Sequence, residues 1–126
     1  MDRISQQSMI LVVEDNLKDL NLLNTELRKI TNSCICLTEG MKALMLVQVY
    51  HPKVIILDME LGDINGIQVI DYLKRNPVTA NIPIIATTSK VNKSFCNFIK
   101  KLGVNACISK PYNIEELIKV ILKYLD

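Results

Sequence analysis

Short apolar runs alternate along the chain with longer stretches in which apolar residues recur every three or four positions. This alternation is typical of strands buried on both faces and of amphipathic helices that pack against them. Five strands that alternate with five helices predict an α/β fold with a doubly wound, five-stranded parallel sheet. We expect the flavodoxin-like strand order 2-1-3-4-5, with the functional site where the order reverses, between strands 1 and 3. The predicted strands cover residues 9–14, 34–38, 53–58, 84–88 and 104–109.

The helices are predicted from their caps and their apolar stripes. Asn16 and Asn113 stand at capping positions of the first and last helices, and Asp19 and Glu116 follow three residues later, as in a capping box. The second helix has apolar residues on most of its surface. Either these are core residues with a few ordinary exposed ones among them, or they include an exposed docking patch. The second and third helices cover 40–50 and 67–75, and the stripes of the others comprise Leu20, Leu23, Leu27 and Ile30, then Val91, Phe95, Phe98, Ile99 and Leu102, then Ile114, Leu117, Ile118, Ile121, Leu122 and Leu125.

Size and charge exclude several classes of protein. The chain has 126 residues, with 15 basic against 13 acidic side chains and a net charge of +2, which argues against direct binding to nucleic acid. No apolar run approaches the roughly 20 residues that a membrane span needs, and the N-terminus lacks the apolar core of a signal peptide. We therefore expect a cytoplasmic protein that does not contact membranes, with one domain at 9–126 after a flexible segment at 1–8.

The four cysteines do not form a metal-binding pattern. None are spaced as Cys-x-x-Cys, and His51 is the only histidine, so a zinc site is not predicted. Cys34 and Cys36 would share one face of a strand, where small apolar side chains pack well in a reducing compartment. A redox role is the alternative.

Charged side chains follow three of the predicted strands. Glu14 and Asp15 follow the first strand, Asp58 ends the third, and Lys110 follows the fifth. Because the carboxyl ends of parallel strands meet at one edge of the sheet, these groups converge. Carboxylates about 4 Å apart repel by roughly 4 kcal/mol at a partly buried site, and a hard cation such as Mg²⁺ relieves that repulsion.

With a cation bound among them, these residues can carry out the transfer of a phosphoryl group to a carboxylate. Asp58 is placed to attack phosphorus and form an acyl phosphate. Lys110 would pair with the phosphoryl group, and the Thr88 hydroxyl would donate a hydrogen bond to it. Each residue alone has an ordinary structural role as a turn, loop or strand residue, so the prediction depends on their combination.

Five segments carry a resemblance to a known family. They are 10–16 (Ile-Leu-Val-Val-Glu-Asp-Asn), 54–58 (Val-Ile-Ile-Leu-Asp), 63–66 (Asp-Ile-Asn-Gly), 83–88 (Pro-Ile-Ile-Ala-Thr-Thr) and 108–111 (Ile-Ser-Lys-Pro). In sequence and spacing they resemble response-regulator receiver domains of two-component phosphorelays, the CheY-like superfamily, over about 9–125.

The resemblance implies a role for each matching residue. It implies that Asp58 is the phosphoacceptor, that Asp15 binds Mg²⁺ directly and that Glu14 assists through water. It also implies that the backbone carbonyl of Glu60 completes the protein ligands of the metal. Thr88 and Lys110 would contact the phosphoryl group, and a cis peptide bond would precede Pro111.

Three positions depart from the family pattern. Gly62 replaces the usual proline after the acceptor, which would loosen that loop. Ser89 stands where alanine is commonest, which would narrow access to the phosphoryl group. Cys107 replaces the aromatic switch residue, so coupling of Thr88 to a swinging ring is not expected here.

The resemblance implies a signalling switch rather than a conventional enzyme. A histidine kinase or histidine phosphotransfer protein would donate the phosphoryl group, with Mg²⁺-dependent phosphorylation and slow dephosphorylation at Asp58. The surface of the fourth helix, fifth strand and fifth helix would then change its affinity for a downstream protein. The sequence ends directly after the fifth helix, which suggests either a stand-alone receiver or a piece of a larger protein.

Three other classes share part of this pattern. A flavodoxin-like cofactor binder would need a phosphate-binding loop after the first strand, where Glu14 and Asp15 stand instead. A haloacid-dehalogenase-type phosphatase would need an Asp-x-Asp pattern on that strand. A phosphorylation-independent interaction module with the same residues remains the alternative, and Mg²⁺-dependent phosphorylation discriminates it from a switch.

Overall fold

The computed structural model describes residues 9–90 and 92–125. The segment at 1–8, predicted to be flexible, lies outside the described residues, as do Val91 and Asp126. The strands are β1 (Ile10–Val13), β2 (Cys34–Leu37), β3 (Val54–Asp58), β4 (Ile84–Thr88) and β5 (Ala106–Ser109). The helices are α1 (Leu17–Leu27), α2 (Gly40–Tyr50), α3 (Gly66–Arg75), α4 (Lys93–Lys101) and α5 (Ile114–Leu122).

All five strands are parallel and lie in the order β2-β1-β3-β4-β5, which confirms the predicted topology. The first strand lies between the second and third, so the order reverses there. Every residue of β1, β3 and β4 is buried. This explains their unbroken apolar runs, because a strand covered on both faces has no polar side.

Side chains that alternate along each strand point into two separate cores. Leu11 and Val13 face one core, which is closed by α2, α3 and α4. Ile10 and Val12 face the other, which is closed by α1 and α5. Each helix therefore buries its stripe against one face of the sheet, and the loops that follow the strands collect at the carboxyl edge.

The helix caps largely follow the prediction. The side chains of Asn16 and Asn113 accept hydrogen bonds from the backbone N–H groups of Asp19 and Glu116, each at 3.0 Å. The first capping box is incomplete, because the Asn16 N–H donates to Glu14 Oε2 at 3.1 Å.

Three residues that were predicted to lie in the inner stripes are exposed instead. Phe98 and Leu122 are 48% exposed and Leu102 is 36% exposed. Ile99 and Ile121 occupy the buried positions next to Phe98 and Leu122. Because one residue rotates a helix by about 100°, the adjacent side chains turn away from the sheet.

The apolar helix α2 faces both the core and solvent. Ala43 and Val47 are buried, whereas Met41, Met45 and Val49 on the outer face are 54%, 72% and 68% exposed. This exposure fits both ordinary surface scatter and a docking patch, so a docking role for α2 stays a hypothesis. Within the described ranges no helix, α2 included, has both the length and the apolar character to cross a membrane.

Candidate functional site

Asp58 lies at the centre of the carboxyl edge of the sheet. It is the last residue of β3, paired with Thr87 of β4, and its side chain is almost fully buried. Its Oδ1 atom accepts a hydrogen bond from the Glu60 N–H at 2.9 Å and lies 3.1 Å from the Lys110 ammonium. Burial and these two donors fix the carboxylate at the place where the strand order reverses.

Glu14 and Asp15 complete an acidic cluster with Asp58. Glu14 is buried and Asp15 is exposed, and one carboxylate oxygen from each of the three residues lies within 4.8 Å of the others. Gly62 leaves room for this cluster, since a Cβ atom there would lie 3.3 Å from Asp15 Oδ2. Three converging carboxylates are a donor set that fits a hard divalent cation.

Lys110 and Tyr112 position the Glu14 carboxylate. The Lys110 ammonium lies 3.2 Å from both carboxylate oxygens of Glu14. The Tyr112 hydroxyl donates to Glu14 Oε1 and lies 3.5 Å from Thr87 Oγ1. No role was predicted for Tyr112 from the sequence, because Tyr112, which lies just before α5, approaches Glu14 at the end of β1 only in the folded chain.

Proton affinities in the cluster reflect this crowding. Burial, followed by a hydrogen bond with Asp58, raises the pKa of Glu14 to about 7 against the opposing effects of Tyr112 and the Asn16 N–H. Burial lowers the pKa of Lys110, but the carboxylates of Asp58 and Glu14 outweigh burial and raise it overall. The ammonium therefore stays charged, whereas Glu14 binds a proton near neutral pH, mainly because burial disfavours its ionised form beside Asp58.

On the other side of Asp58, three donors hold the Glu60 carboxylate. The fully buried Thr88 hydroxyl donates to Oε2 at 2.6 Å, and the backbone N–H and hydroxyl of Ser89 donate to Oε1 at 2.9 and 3.0 Å. The Lys90 N–H donates in turn to the Thr88 oxygen at 3.0 Å. No contacts of the Glu60 side chain were predicted from the sequence, because they depend on how closely the loop after β3 approaches the end of β4.

Sequence and structure comparisons agree on the family. The model of the response regulator receiver domain matches residues 10–122. The polar-differentiation response regulator DivK of Brucella ovis is 31% identical over 92% of this chain and 94% of its own. The chain belongs to the response-regulator receiver domain family.

Solved structures of response regulators share the fold of this receiver domain. The Mn²⁺-bound form of response regulator Rcp1 aligns with a TM-score of 0.73 and 28% identity, covering 92% of this chain and 90% of that one. The phosphorylated cyanobacterial phytochrome response regulator RcpA aligns with a TM-score of 0.77 and 25% identity, covering 90% and 88%. Receiver domains are signalling switches, not classical enzymes, and they interact with kinases or phosphotransfer proteins and with downstream targets.

The receiver domain contains a disulfide bond that was not predicted. Cys96 of α4 and Cys107 of β5 are joined, with their Cα atoms 5.8 Å apart, and the two residues are 11 positions apart in sequence. The resemblance implies that Cys107 stands where the family has an aromatic switch residue, and in this structure that side chain forms a covalent link to α4. Cys34 and Cys36 are free and share one strand face, as predicted, with their sulfur atoms 3.9 Å apart.

Two further loop features support the site. The peptide bond between Lys110 and Pro111 is cis, as the resemblance implied. Asp63 accepts hydrogen bonds from the N–H groups of Gly40 and Met41, each at 3.0 Å, and so caps α2 from the loop after β3. This capping role was not predicted, since the two segments are more than twenty residues apart in sequence.

Proposed function

We propose that this receiver domain, spanning 9–126, accepts a phosphoryl group on Asp58 from a histidine kinase or a histidine phosphotransfer protein. The observation that carries the proposal is the convergence of three carboxylates, that of the buried Asp58 among them, with one ammonium. Structural ion pairs alone rarely bring together so many like charges. A site that binds a cation and a phosphoryl group accounts for all four groups.

Mg²⁺ is the cation that we assign to the acidic cluster. Asp15 would bind it directly together with Asp58, Glu14 would hold a water ligand, and the Glu60 carbonyl would supply a backbone oxygen. When bound, Mg²⁺ would neutralise charge on phosphate oxygens. The structure of response regulator Rcp1 in a Mn²⁺-bound form supports the binding of a divalent metal by a protein of this fold.

The protein's own groups act on the phosphoryl transfer. A carboxylate oxygen of Asp58 forms a bond to phosphorus while the bond from phosphorus to the donor's imidazole nitrogen breaks, and the electron pair stays on that nitrogen. Lys110 keeps its charge within reach of the new phosphoryl oxygens, and the Thr88 hydroxyl donates a hydrogen bond to one of them. Catalysis of this kind works by positioning and charge neutralisation, in keeping with slow, self-promoted reactions at Asp58.

We propose that the output surface is formed by α4, β5 and α5. Thr88 ends β4 and pairs with Ser109 of β5, and α4 is the next element along the chain. A movement of Thr88 and Ser89 toward the phosphoryl group would therefore be transmitted to β5 through this pairing and to the start of α4 along the chain. A downstream protein would distinguish the two arrangements of this surface. The cytoplasmic location stays a prediction from the sequence.

The test is the intact mass of the protein after incubation with acetyl phosphate, with and without Mg²⁺. We expect a gain of one phosphoryl group that requires Mg²⁺ and is absent in Asp58→Asn. A phosphorylated histidine phosphotransfer protein serves as a second donor, because Ser89 narrows the site for some donors. Failure with both donors would favour an interaction module that works without phosphorylation.

A further inference from the structure

The Glu60 side chain spans the gap between the loop after β3 and the end of β4. Its carboxylate accepts three hydrogen bonds, from the Thr88 hydroxyl, the Ser89 N–H and the Ser89 hydroxyl, at 2.6 to 3.0 Å. Within residues 9–90 and 92–125, no ammonium or guanidinium nitrogen lies within 4.0 Å of this carboxylate. These hydrogen bonds are therefore its direct compensation for charge.

The Thr88 hydroxyl has a single proton to donate. Its oxygen already accepts a hydrogen bond from the Lys90 N–H, and its proton is directed at Glu60 Oε2. A phosphoryl group on Asp58 needs the same proton if Thr88 is to contact it. One hydroxyl cannot donate to both anions at once, so the two bonds exclude each other.

Electrostatics act in the same direction as the hydrogen bonds. A phosphoryl group adds negative charge beside Asp58, and the Glu60 carboxylate is fixed on the neighbouring loop. The Lys110 ammonium is engaged with Asp58 and Glu14 rather than with Glu60. Like charges in a partly buried site repel, so Glu60 opposes the incoming group as long as it keeps its place.

We propose that Glu60 is an internal anion that occupies the phosphoryl-facing donors of Thr88 and Ser89 in the unphosphorylated protein. Displacement of its carboxylate accompanies phosphorylation, and the release of Ser89 and Lys90 then carries the change toward α4. Glu60 is thus a positioning residue that sets how readily the switch turns on. The inference rests on the proposed phosphorylation of Asp58.

The test is the affinity for beryllofluoride, a phosphoryl mimic, measured by titration at saturating Mg²⁺. We expect Glu60→Ala to bind it about tenfold more tightly than wild type, because a charged hydrogen-bond acceptor no longer competes for Thr88 and Ser89. Glu60→Gln keeps the shape and loses the charge, and it should show a smaller gain. The control is Glu26→Gln, since Glu26 lies at the far end of α1 and, among the described residues, forms its one ion pair with Lys29 at 3.0 Å.

The outcomes separate this inference from the proposed function. Unchanged or weaker binding by both Glu60 variants, with wild-type binding intact, would overturn the inference and leave phosphorylation of Asp58 standing. If wild type binds no beryllofluoride and takes up no phosphoryl group, the proposed function fails and the inference fails with it. A purely structural role for Glu60 would lower stability without raising the affinity.

Discussion

On one side of Asp58, Glu14 and Asp15 crowd around a single ammonium, whereas on the other side the Glu60 carboxylate is held by donors of its own. The first side brings three carboxylates to one ammonium, and we propose that a divalent cation compensates the remaining negative charge. The second side has its hydrogen bonds made before any ligand arrives. The same phosphoryl group would therefore be attracted by a bound cation on one side and would displace an internal anion on the other.

This difference indicates how contacts within the site itself can favour the unphosphorylated state of the domain. Uncompensated charge is relieved by binding, so the acidic side favours the ligand. The hydrogen bonds from Thr88 and Ser89 to Glu60 must break before these donors can contact a phosphoryl group, so the Thr88 side favours the unphosphorylated state. The balance between these two sides sets the population of the switched form.

The strongest test of the acidic side is Lys110→Met. This change keeps much of the side-chain volume and leaves Glu14 and Asp58 without their ammonium, so we expect a loss of about 3 kcal/mol in the free energy of unfolding. Urea denaturation without Mg²⁺ measures the loss, and added Mg²⁺ should recover more stability in the variant than in wild type. Lys29→Met, which breaks an exposed pair, should cost less than about 0.5 kcal/mol. Equal effects of the two variants would contradict the picture of uncompensated charge.

Reduction of the disulfide bond tests how much the link between α4 and β5, next to the Thr88 side, contributes to the free energy of unfolding. Closing a loop of this length restricts the unfolded chain, so we expect reduction to cost about 2–3 kcal/mol of stability. Denaturation with and without a thiol reductant measures this cost. The double variant Cys96→Ser, Cys107→Ser should match the reduced protein and should not respond to reductant. A wild-type stability unaffected by reduction would show that the link contributes nothing.

A smaller effect is expected from pH at the acidic side. The pKa of Glu14 is about 7 in the folded protein against 4.5 ordinarily, so the folded state keeps a proton that the unfolded state has lost. Metal-free stability should therefore fall as pH rises from about 4.5 to about 7. Relaxation of the site and entry of water around the ionised carboxylate reduce this effect, so we expect a fall on the order of 1–2 kcal/mol.

Denaturation across that pH range, with and without Mg²⁺, measures the effect. Glu14→Gln should remove the pH dependence that comes from this group. Tyr112→Phe should move its midpoint upward, because the tyrosine hydroxyl lowers the pKa of Glu14. A midpoint that stays in place would mean that Tyr112 does not hold the carboxylate.

Several parts of the site were predictable because they follow from local rules. Asp58 ends an apolar run, and Glu14 and Asp15 follow another, so a parallel sheet has to bring them together. The caps at Asn16 and Asn113 follow from the need to satisfy N–H groups in the first turn of a helix. The exposed positions of Phe98 and Leu122 were not predictable from periodicity, since a rotation of one residue decides which side faces the sheet.

The alternation of strands and helices, the convergence of Glu14, Asp15, Asp58 and Lys110, and the resemblance to the family could all be read from the chain alone, because period and spacing are local properties. Which side chains form bonds with one another across that edge depends on the packed structure. The bonds of Glu60 to Thr88 and Ser89, of Tyr112 to Glu14, and of Cys96 to Cys107 join segments that approach only when the sheet and its helices have packed. Their geometry depends on packing and burial at distances of a few ångströms, which no sequence spacing encodes.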